Sequence, residues 1–258
     1  MKIRLHQFLS KSGAFSSKSE VKRAIWDGEI LVNGSLVKDI AYEFNPEKRV
    51  VTFRGDVLEL PLNERYFLLN KPAGVICSRL NKHESALGKR SVFERFNDHL
   101  DSRTFRSLVT VGRLDEGTTG LLIVTTDGNI VHTITNPNSR IGKSYRVQTT
   151  MKISEEQATS IRNGVTVETS DGIVSDSYIS RPAELVLEGE KVALITIYEG
   201  KKREIRRIFE AVGNNVVDLH RLSIGNMELS GYGLEEGDFC EVVVGEISNK
   251  ILNKNDSF

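Results

Sequence analysis

The sequence predicts an α+β protein of two unequal domains, and three observations carry that prediction. Apolar residues recur at helical spacing within the first 26 residues, and an Asn-Gly pair typical of a hairpin turn follows them. Farther along the chain, strand-like runs alternate with helical patterns and turns. The 258 residues suffice for one large domain or two unequal ones. We expect a small domain of helices and a hairpin, then a larger domain built on a mainly antiparallel mixed sheet flanked by helices and loops.

The small N-terminal domain is expected over residues 1–60. A first helix is predicted within residues 3–12, where apolar side chains share one face, and Gly13 is a stop signal. A second helix is expected to begin at residues 17–20, because the order Ser-Lys-Ser-Glu fits a capping box. In such a box, the serine and glutamate side chains each bind a free backbone amide.

A hairpin is predicted to complete this domain. Residues 30–32 form a short strand, and Asn33-Gly34 favours a tight turn because both residue types tolerate positive φ. A further strand is expected at residues 49–54, and residues 61–64 have the composition of a linker.

The larger domain is expected over residues 63–247, and residues 248–258 are expected to form a polar, disordered tail. Its strands are predicted from β-branched and aromatic runs, and its helices from the spacing of apolar residues. The predicted strands are residues 66–69, 120–125, 144–150, 193–198 and 239–244, and the predicted helices are residues 91–96, 154–163 and 202–212.

Composition excludes several classes of protein. No apolar run reaches 18 residues, so no transmembrane helix is expected, and the first residues lack the apolar core and cleavage site of a secretion signal. The two cysteines lie far apart in sequence and are expected to be reduced in a cytoplasmic protein. The five histidines are scattered, and no Cys-x-x-Cys or His-x-x-x-His pair occurs, so no metal site is expected.

Positive charge is concentrated near the N-terminus. The chain has a formal net charge of zero, but its first 26 residues hold six lysines and arginines against one glutamate. Such a local excess is typical of a surface that contacts phosphate, although a solvated helix face gives the same pattern. The basic residues expected to bind nucleic acid there are Arg4, Lys11, Lys18, Lys22 and Arg23.

The most informative run covers residues 111–128. It is a polar, glycine-rich loop followed by an apolar strand and an Asp-Gly turn, and it places Asp115 in the loop just before the strand. A carboxylate in that position is fixed by the scaffold and exposed by the loop, as chemistry requires. A lone aspartate there can equally cap the turn through its own backbone, so this residue alone leaves both interpretations open.

Four blocks in order resemble the motifs of the pseudouridine synthases. They are Asn70–Val75, Gly112–Asp115 with the Thr-x-Gly-Leu-Leu that follows it, Lys143–Val147 and Ile197–Phe209. Residues 3–34 resemble the RNA-binding module first named for ribosomal protein S-four. With a basic module in front of these motifs, the chain resembles the members of the RsuA-like branch of the family, which modifies ribosomal RNA.

The resemblance implies an enzyme that isomerises uridine to pseudouridine without a cofactor. The bond between the uracil nitrogen and the ribose breaks, the base rotates, and it rejoins the ribose through carbon. The base must leave the helical stack to be reached. Two routes stay open for the catalytic carboxylate: attack on the anomeric carbon, or removal of the ribose 2′ proton. The expected partner is a structured ribosomal RNA, such as a stem-loop, and the enzyme is expected to be a monomer.

The resemblance also assigns roles to residues. Asp115 is the catalytic carboxylate, the ring of Tyr145 stacks on the uracil, and Arg206 pairs with the carboxylate. An arginine within about 4–6 Å of Asp115 favours its ionised form. The residues expected to line the substrate pocket are Ile197, Lys71 and Arg113, and those expected to contact RNA phosphates are Lys201, Arg203 and Arg207.

One departure and two alternatives remain. Position 204 holds Glu where this branch more often has Gln, and a glutamate between arginines can rearrange a local ion pair. A non-catalytic RNA-binding or ribosome-assembly protein is one alternative, but it is expected to have lost Asp115 or Tyr145. A glycosidase is the other. Such enzymes use two carboxyl groups about 5–9.5 Å apart, whereas Glu116 beside Asp115 is expected to point to the opposite face of an extended chain.

Overall fold

The computed structural model describes residues 2–15, 17–60, 63–170 and 175–252, in which helices combine with a mixed sheet. The helices are α1 (Leu5–Lys11), α2 (Lys18–Trp26), α3 (Lys82–Ala86), α4 (Ser102–Ser107), α5 (Gly128–Thr135), α6 (Glu155–Asn163), α7 (Glu204–Ala211) and α8 (Val244–Ile247). The strands are β1 (Ile3–Arg4), β2 (Ile30–Val32), β3 (Ser35–Leu36), β4 (Glu43–Phe44), β5 (Val51–Phe53), β6 (Asp56–Leu58), β7 (Tyr66–Lys71), β8 (Val75–Ile76), β9 (Arg90–Ser91), β10 (Val109–Thr110), β11 (Thr119–Thr125), β12 (Lys143–Thr149), β13 (Thr166–Ser170), β14 (Ser175–Ile179), β15 (Glu184–Gly189), β16 (Val192–Ile197), β17 (Val216–Ile224), β18 (Met227–Glu228) and β19 (Phe239–Val242). Short 3₁₀ helices cover Val92–Phe96, Pro137–Ser139 and Leu229–Tyr232, and a π-helical turn covers Ser248–Leu252.

The chain divides into two compact units. The first contains Met1–Arg65, Phe93–Val109 and Thr125–Asp127. The second contains Tyr66–Val92, Thr110–Val124 and the chain from Gly128 onward.

The first unit contains the predicted helices and hairpin. The Ser17 hydroxyl accepts a hydrogen bond from the Glu20 amide at 3.1 Å, which confirms the serine half of the predicted capping box. Asn33 and Gly34 both have positive φ, 50° and 78°, and they join β2 to β3 in the predicted two-residue turn. The first helix begins later than predicted, at Leu5, because the two residues before it pair with β4 as the strand β1.

Residues 93–109 belong to this first unit, which the sequence did not predict. The Ser107 hydroxyl donates to the Lys11 carbonyl at 3.1 Å, and Arg103 forms an ion pair with Glu59 at 3.0 Å. Gly13 has φ +71°, and a Cβ there would lie 2.8 Å from the Arg103 carbonyl oxygen. The two side-chain contacts join residues 44 and 96 positions apart along the chain, so spacing in the sequence could not reveal them.

The second unit is built on a mixed sheet, nine-stranded within the described residues, with a central order of β15-β16-β12-β17-β11-β7-β19. Strand β12 pairs antiparallel with both β16 and β17, whereas β11 runs parallel to β17. Gly120 allows this parallel pair to approach closely, because a Cβ there would lie 2.3 Å from the Arg221 carbonyl oxygen. One core of the unit packs Tyr66, Leu68, Leu121, Ile123, Ile224 and Met227 with their neighbours.

Strand β17 is the main element that the sequence prediction missed. It lies between β12 and β11, near the middle of the sheet. Its inward-facing positions include Arg221, 2% exposed, and Ser223, 6% exposed, so its alternation of apolar and polar residues is broken. A search for apolar periodicity therefore passes over it.

The C-terminal part differs from the prediction of a strand to residue 244 and a disordered tail from residue 248. Strand β19 ends at Val242, and α8 and the π-helical turn continue the chain to Leu252. Ile251 is buried and belongs to the core of the second unit, which explains why this stretch is ordered. The rest of the predicted tail, residues 253–258, and part of the predicted linker, residues 61–62, lie outside the described residues. Among the described helices, none has the length and apolar character to cross a membrane.

Candidate active site

A cavity of about 730 Å³ in the second unit brings together most of the residues that the sequence predicted for the site. Asp115, Tyr145, Ile197 and Arg206 all line it, and they come from four separate elements or loops. Their convergence is the structural basis for a single chemical site, because no two of them are neighbours along the chain.

The loop that carries Asp115 exposes the carboxylate. The Asp115 backbone carbonyl accepts a hydrogen bond from the Thr118 amide at 3.0 Å, so the turn is closed by the backbone and not by the side chain. Asp115 is exposed, and its carboxylate has no hydrogen bond or ion pair within the described part of the chain. This arrangement favours a chemical role over the turn-capping alternative.

Lys71, which the sequence predicted in the substrate pocket, is not among the residues that line the cavity. Its side chain is fully buried, and Nζ donates to the carbonyls of Pro72, Glu116 and Thr118 at 2.9, 3.2 and 2.8 Å. Burial lowers the pKa of the ammonium below its ordinary value. Lys71 instead fixes the loop that presents Asp115, because all three donor positions of its ammonium are used on nearby backbone.

Replacing Lys71 with methionine is expected to lower the free energy of unfolding by about 2–4 kcal/mol, because it leaves carbonyl groups without partners. Urea unfolding followed by circular dichroism measures this loss. Lys89→Met is the matched control, since Lys89 binds the same loop through an ion pair with Glu116 but is partly exposed. It is expected to cost less than about 1 kcal/mol. Equal losses in the two variants would contradict the role given to Lys71.

Glu116 is turned away from the cavity. Its carboxylate forms an ion pair with Lys89 at 2.6 Å, and Glu116 is not among the residues that line the cavity. Asp115 and Glu116 therefore do not form the pair of facing carboxyl groups that a glycosidase uses.

Tyr145 and Ile197 face the cavity from adjacent strands. Tyr145 on β12 is 7% exposed, and Ile197 at the end of β16 is 5% exposed. The register of the sheet places Tyr145 opposite Ile195 on one side and Arg221 on the other. An aromatic ring and an aliphatic side chain in one wall form a suitable surface for a planar base.

Arg206 lines the cavity. The sequence predicted that it pairs with Asp115, but in this structure its guanidinium binds elsewhere. Its Nη1 donates to the Val216 carbonyl at 2.7 Å, since α7 packs against the start of β17. Arg113, which the sequence predicted for the substrate pocket, also lines the cavity.

Arg221 is a cavity residue that the sequence prediction missed. Its Nε donates to the Leu121 carbonyl at 2.6 Å, and its Nη2 is buried without a hydrogen-bond partner among the described residues. The signal available in the sequence was an arginine two residues after Leu219 and three before Ile224, within a short run rich in β-branched and aliphatic residues. An unpaired donor beside a cavity that holds a carboxylate makes the site electropositive.

The loop before α7 adds more positive charge. Lys201 and Arg203 line the cavity, whereas Arg207 does not. The Lys201 ammonium lies 3.0 Å from the Glu199 carboxylate and 3.5 Å from the centre of the Tyr178 ring. Arg203 has φ +54° and precedes the first residue of α7, which sets the direction of this loop.

The predicted basic residues of the first unit fall into two groups. Arg4 and Lys11 form ion pairs with Glu43 and Glu64, each at 3.2 Å. The exposed residues of α2 include Lys18, Lys22 and Arg23, for which the described residues show no ion pair, and Trp26, which is 59% exposed. An exposed tryptophan next to basic residues was a further signal that the sequence prediction did not use.

No cluster of three or more potential metal ligands occurs in the part of the chain that the structure describes. The cavity is lined instead by one free carboxylate, cationic side chains, Tyr145 and aliphatic groups. Such a site can bind a polyanion, hold a planar ring and present a base or nucleophile to it.

Comparison with known proteins identifies the family. Residues 65–211 match the RNA pseudouridylate synthase family, and residues 3–50 match the S4 domain. The first match spans more than half of the chain, and it includes the loop of Asp115, strand β12 and helix α7. The chain belongs to the RNA pseudouridylate synthases and is therefore an isomerase.

Relatives and a solved structure agree with this assignment over nearly the full chain. A ribosomal small subunit pseudouridine synthase A of Yersinia pestis is 33% identical over 249 residues, covering 96% of this chain and 97% of its own. The enzyme of the same name from Escherichia coli (strain K12) is 30% identical over 96% of this chain and 100% of its own. A crystal structure of a pseudouridylate synthase superposes with a TM-score of 0.66 at 28% identity, covering 96% of this chain and 100% of that one.

Proposed function

We propose that this enzyme converts a uridine of structured ribosomal RNA, in the small subunit, to pseudouridine at Asp115. The observation that carries the proposal is the unpaired carboxylate of Asp115 in one cavity with Tyr145 and Ile197. The two relatives described above, which are alike over nearly the full chain, are named for the small ribosomal subunit. The N-terminal S4 domain supports RNA as the substrate.

The cavity walls suit a base that has left its stack. Flipping a nucleotide costs a few kcal/mol, and stacking on an aromatic ring offsets about 1–3 kcal/mol of it. The ring of Tyr145 stacks on the uracil, and Ile197, in the same wall of the cavity, packs beside that ring against the base. After the base rotates, the Tyr145 hydroxyl relays the proton that carbon 5 releases, taking it up while passing its own proton to water.

Asp115 acts at the sugar. Its carboxylate either attacks the anomeric carbon to give a covalent ester-like intermediate, or removes the 2′ proton to give a glycal. In both routes the uracil leaves with the electron pair of its bond to the ribose and then rejoins through carbon 5. Carbon 5 loses a proton and the freed ring nitrogen gains one, and in the glycal route the 2′ proton taken by Asp115 returns to carbon 2′. The product is thus an isomer of uridine, and no oxidant or reductant is consumed.

Two arginines line the cavity that holds the Asp115 carboxylate. They are Arg206 and Arg221, and Arg221 has a donor nitrogen without a partner among the described residues. We propose that Arg206 exchanges its hydrogen bond to the Val216 carbonyl for Asp115 when RNA is bound.

Phosphates of the RNA are bound by exposed cations on both units. In the second unit, Lys201 and Arg203 lie at the cavity. In the first unit, Lys22 and Arg23 lie three or four residues before Trp26 and share its side of α2. Such a combination of cations and an aromatic ring binds backbone phosphates and stacks an unpaired base.

The variant Lys22→Ala/Arg23→Ala is expected to reduce the slope of log affinity against log salt concentration by about 1.4–1.8, because each lost phosphate contact removes about 0.7–0.9. Trp26→Ala is expected to weaken binding by about 5–150-fold, which corresponds to about 1–3 kcal/mol, with little change in slope. Filter binding to a ribosomal RNA fragment at several salt concentrations measures both. The control is Lys152→Ala, whose exposed ammonium is paired with Glu190. An unchanged slope in the double variant would show that α2 does not contact phosphate.

The direct test of the proposed function uses purified protein and transcribed ribosomal RNA. Small-subunit and large-subunit RNA are incubated separately with the enzyme, digested to nucleosides, and analysed for pseudouridine by mass spectrometry after chemical labelling. We expect pseudouridine in the small-subunit RNA. Its appearance only in the large-subunit RNA would reject the proposed substrate but not the reaction, and its absence from both RNAs would reject both.

A further inference from the structure

Glu204 forms two hydrogen bonds with Lys201 across the turn of residues 201–204, which lies at the cavity. It is the first residue of α7 and is 3% exposed. Its Oε2 accepts a hydrogen bond from the Lys201 amide at 2.9 Å, and its own amide donates to the Lys201 carbonyl at 3.2 Å. The turn between these residues includes Lys202 and Arg203, and all four residues line the cavity.

A second buried carboxyl group lies beside Glu204. Glu199 is 7% exposed and within hydrogen-bonding reach of Glu204. Its carboxylate accepts from the Arg181 amide at 2.9 Å and is paired with the Lys201 ammonium at 3.0 Å. Glu199 therefore has the partners that an ionised carboxylate requires.

The other oxygen of Glu204 has no such partners. Oε1 is buried, and among the described residues no group donates a hydrogen bond to it. Two ionised carboxylates cannot bond to each other, because both only accept. One proton on Glu204 removes this conflict, since its O–H can then donate to Glu199 while Oε2 still accepts from Lys201.

The surrounding charges favour a proton on Glu204. Burial first, and then the hydrogen bond and charge of Glu199, raise the pKa of Glu204 to about 8, against a smaller opposing effect of Lys201. Burial also acts to raise the pKa of Glu199, but the hydrogen bond with Glu204 and the contacts from Arg181 and Lys201 lower it below its ordinary value. The pair therefore shares one proton, and Glu204 holds it.

Other titratable groups also face Glu204. They are Lys143 on β12, whose pKa is lowered by burial, and Tyr178 on β14, whose pKa is raised by burial and by both glutamates. Arg207 lies near Tyr178 and acts to lower its pKa, against the larger effects of burial and the glutamates. Tyr178 titrates above its ordinary range, so Lys143 is the other group whose titration can change the site in moderately alkaline solution.

We infer that Glu204 is a positioning residue that works as a neutral carboxylic acid, holding the Lys201–Glu204 turn so that Lys201 and Arg203 face the RNA. In this form it presents one acceptor and one donor, as a glutamine does. Ionisation places two buried negative charges side by side and loosens the turn. The effect on RNA binding rests on the proposed function, whereas the protonation state does not.

The first test compares kcat and KM of the wild type, Glu204→Gln and Glu204→Ala between pH 6 and pH 9. Wild-type kcat/KM is expected to fall about tenfold between about pH 7 and pH 9 as Glu204 ionises, mainly through a higher KM. Glu204→Gln is expected to remain active and to lack this fall, and Glu204→Ala to have a raised KM at every pH. Glu210→Gln, the same change at an exposed position of α7, is the control and is expected to follow the wild type.

Three outcomes would overturn the inference. A wild-type profile with no alkaline fall would show that Glu204 does not titrate in this range. An equal fall in Glu204→Gln would assign the titration to Lys143 or to the RNA. Glu204→Ala kinetics identical to those of Glu204→Gln would show that the turn does not depend on this side chain.

The second test needs no RNA and stays informative if the proposed substrate is wrong. A carboxyl group with a raised pKa in the folded state stabilises the fold fully below its ordinary pKa of 4.5, and this contribution is lost as pH rises to about 8. The melting temperature of the wild type relative to Glu204→Gln is therefore expected to fall from about pH 5 to pH 8 and to be constant above. If the difference in melting temperature between the wild type and Glu204→Gln does not change with pH, Glu204 is ionised throughout and the inference is overturned.

Discussion

Replacing Asp115 with asparagine is expected to lower pseudouridine formation by on the order of 10⁴-fold or more, since an amide can neither attack the anomeric carbon nor remove the 2′ proton. The two side chains have nearly the same size. The Asp115 carboxylate is exposed and has no partner among the described residues, so the melting temperature is expected to stay close to that of the wild type. Release of tritium from RNA labelled at carbon 5 of uridine measures the reaction.

Glu116→Gln is the matched control for this variant. It makes the same chemical change at the next residue, whose carboxylate is paired with Lys89 and lies outside the cavity. It is expected to keep turnover within about threefold of the wild type, because a partly exposed ion pair contributes about 1 kcal/mol or less. Substantial turnover by Asp115→Asn, or an equal loss in both variants, would contradict the role of Asp115.

Replacing Tyr145 is expected to have the second largest effect, and two substitutions separate its two roles. Tyr145→Phe keeps the ring in the cavity wall and removes the hydroxyl, so RNA affinity is expected to stay near that of the wild type while turnover falls by about 10²-fold or more. Tyr145→Ala removes the ring as well. It is expected to lose the same proton transfer and in addition about 1–3 kcal/mol of stacking, or about 5–150-fold in affinity for the flipped base.

Single-turnover kinetics together with RNA binding distinguish these variants. Tyr198→Phe is the control, because Tyr198 follows β16 and its hydroxyl binds Glu184 outside the cavity. Its turnover is expected to stay close to that of the wild type. Wild-type behaviour of Tyr145→Ala would show that Tyr145 is only a core residue of the sheet.

Local features of the fold could be predicted because they depend on a few neighbouring residues. The Ser17 cap and the Asn33-Gly34 turn each follow from the chemistry of one or two side chains and the backbone near them. Strands β7, β11, β12 and β16 were predicted from their apolar runs to within two residues at each end. Strand β17 was not, since a buried arginine interrupts its pattern.

The residues of the site were predicted more reliably than their contacts. The sequence motifs named Asp115, Tyr145 and Ile197 as site residues, and all three line the same cavity. The partners of the charged groups are set by packing between distant segments. Arg206 therefore donates to a backbone carbonyl of β17, and Lys71 is buried beneath the loop of Asp115 instead of lining the pocket. Neither contact has a signal in residue spacing.

The same limit explains why Glu204 could not be interpreted from the sequence alone. Its position between Arg203 and Arg206 indicated a possible surface ion pair, but the structure buries the side chain against Glu199. Burial and a like-charged neighbour reverse the expected charge state of a glutamate. Only the fold shows that the carboxyl groups at positions 199 and 204 meet.

Mapping pseudouridine in ribosomal RNA tests the central claim most directly. RNA is taken from cells that lack the gene and from the same cells supplied with the wild type or with Asp115→Asn, and every pseudouridine of both subunits is located by chemical labelling and reverse transcription. We expect that at least one pseudouridine of the small-subunit RNA disappears without the gene, returns with the wild-type protein, and stays absent with Asp115→Asn. An unchanged map in cells without the gene, or full restoration by Asp115→Asn, would contradict it.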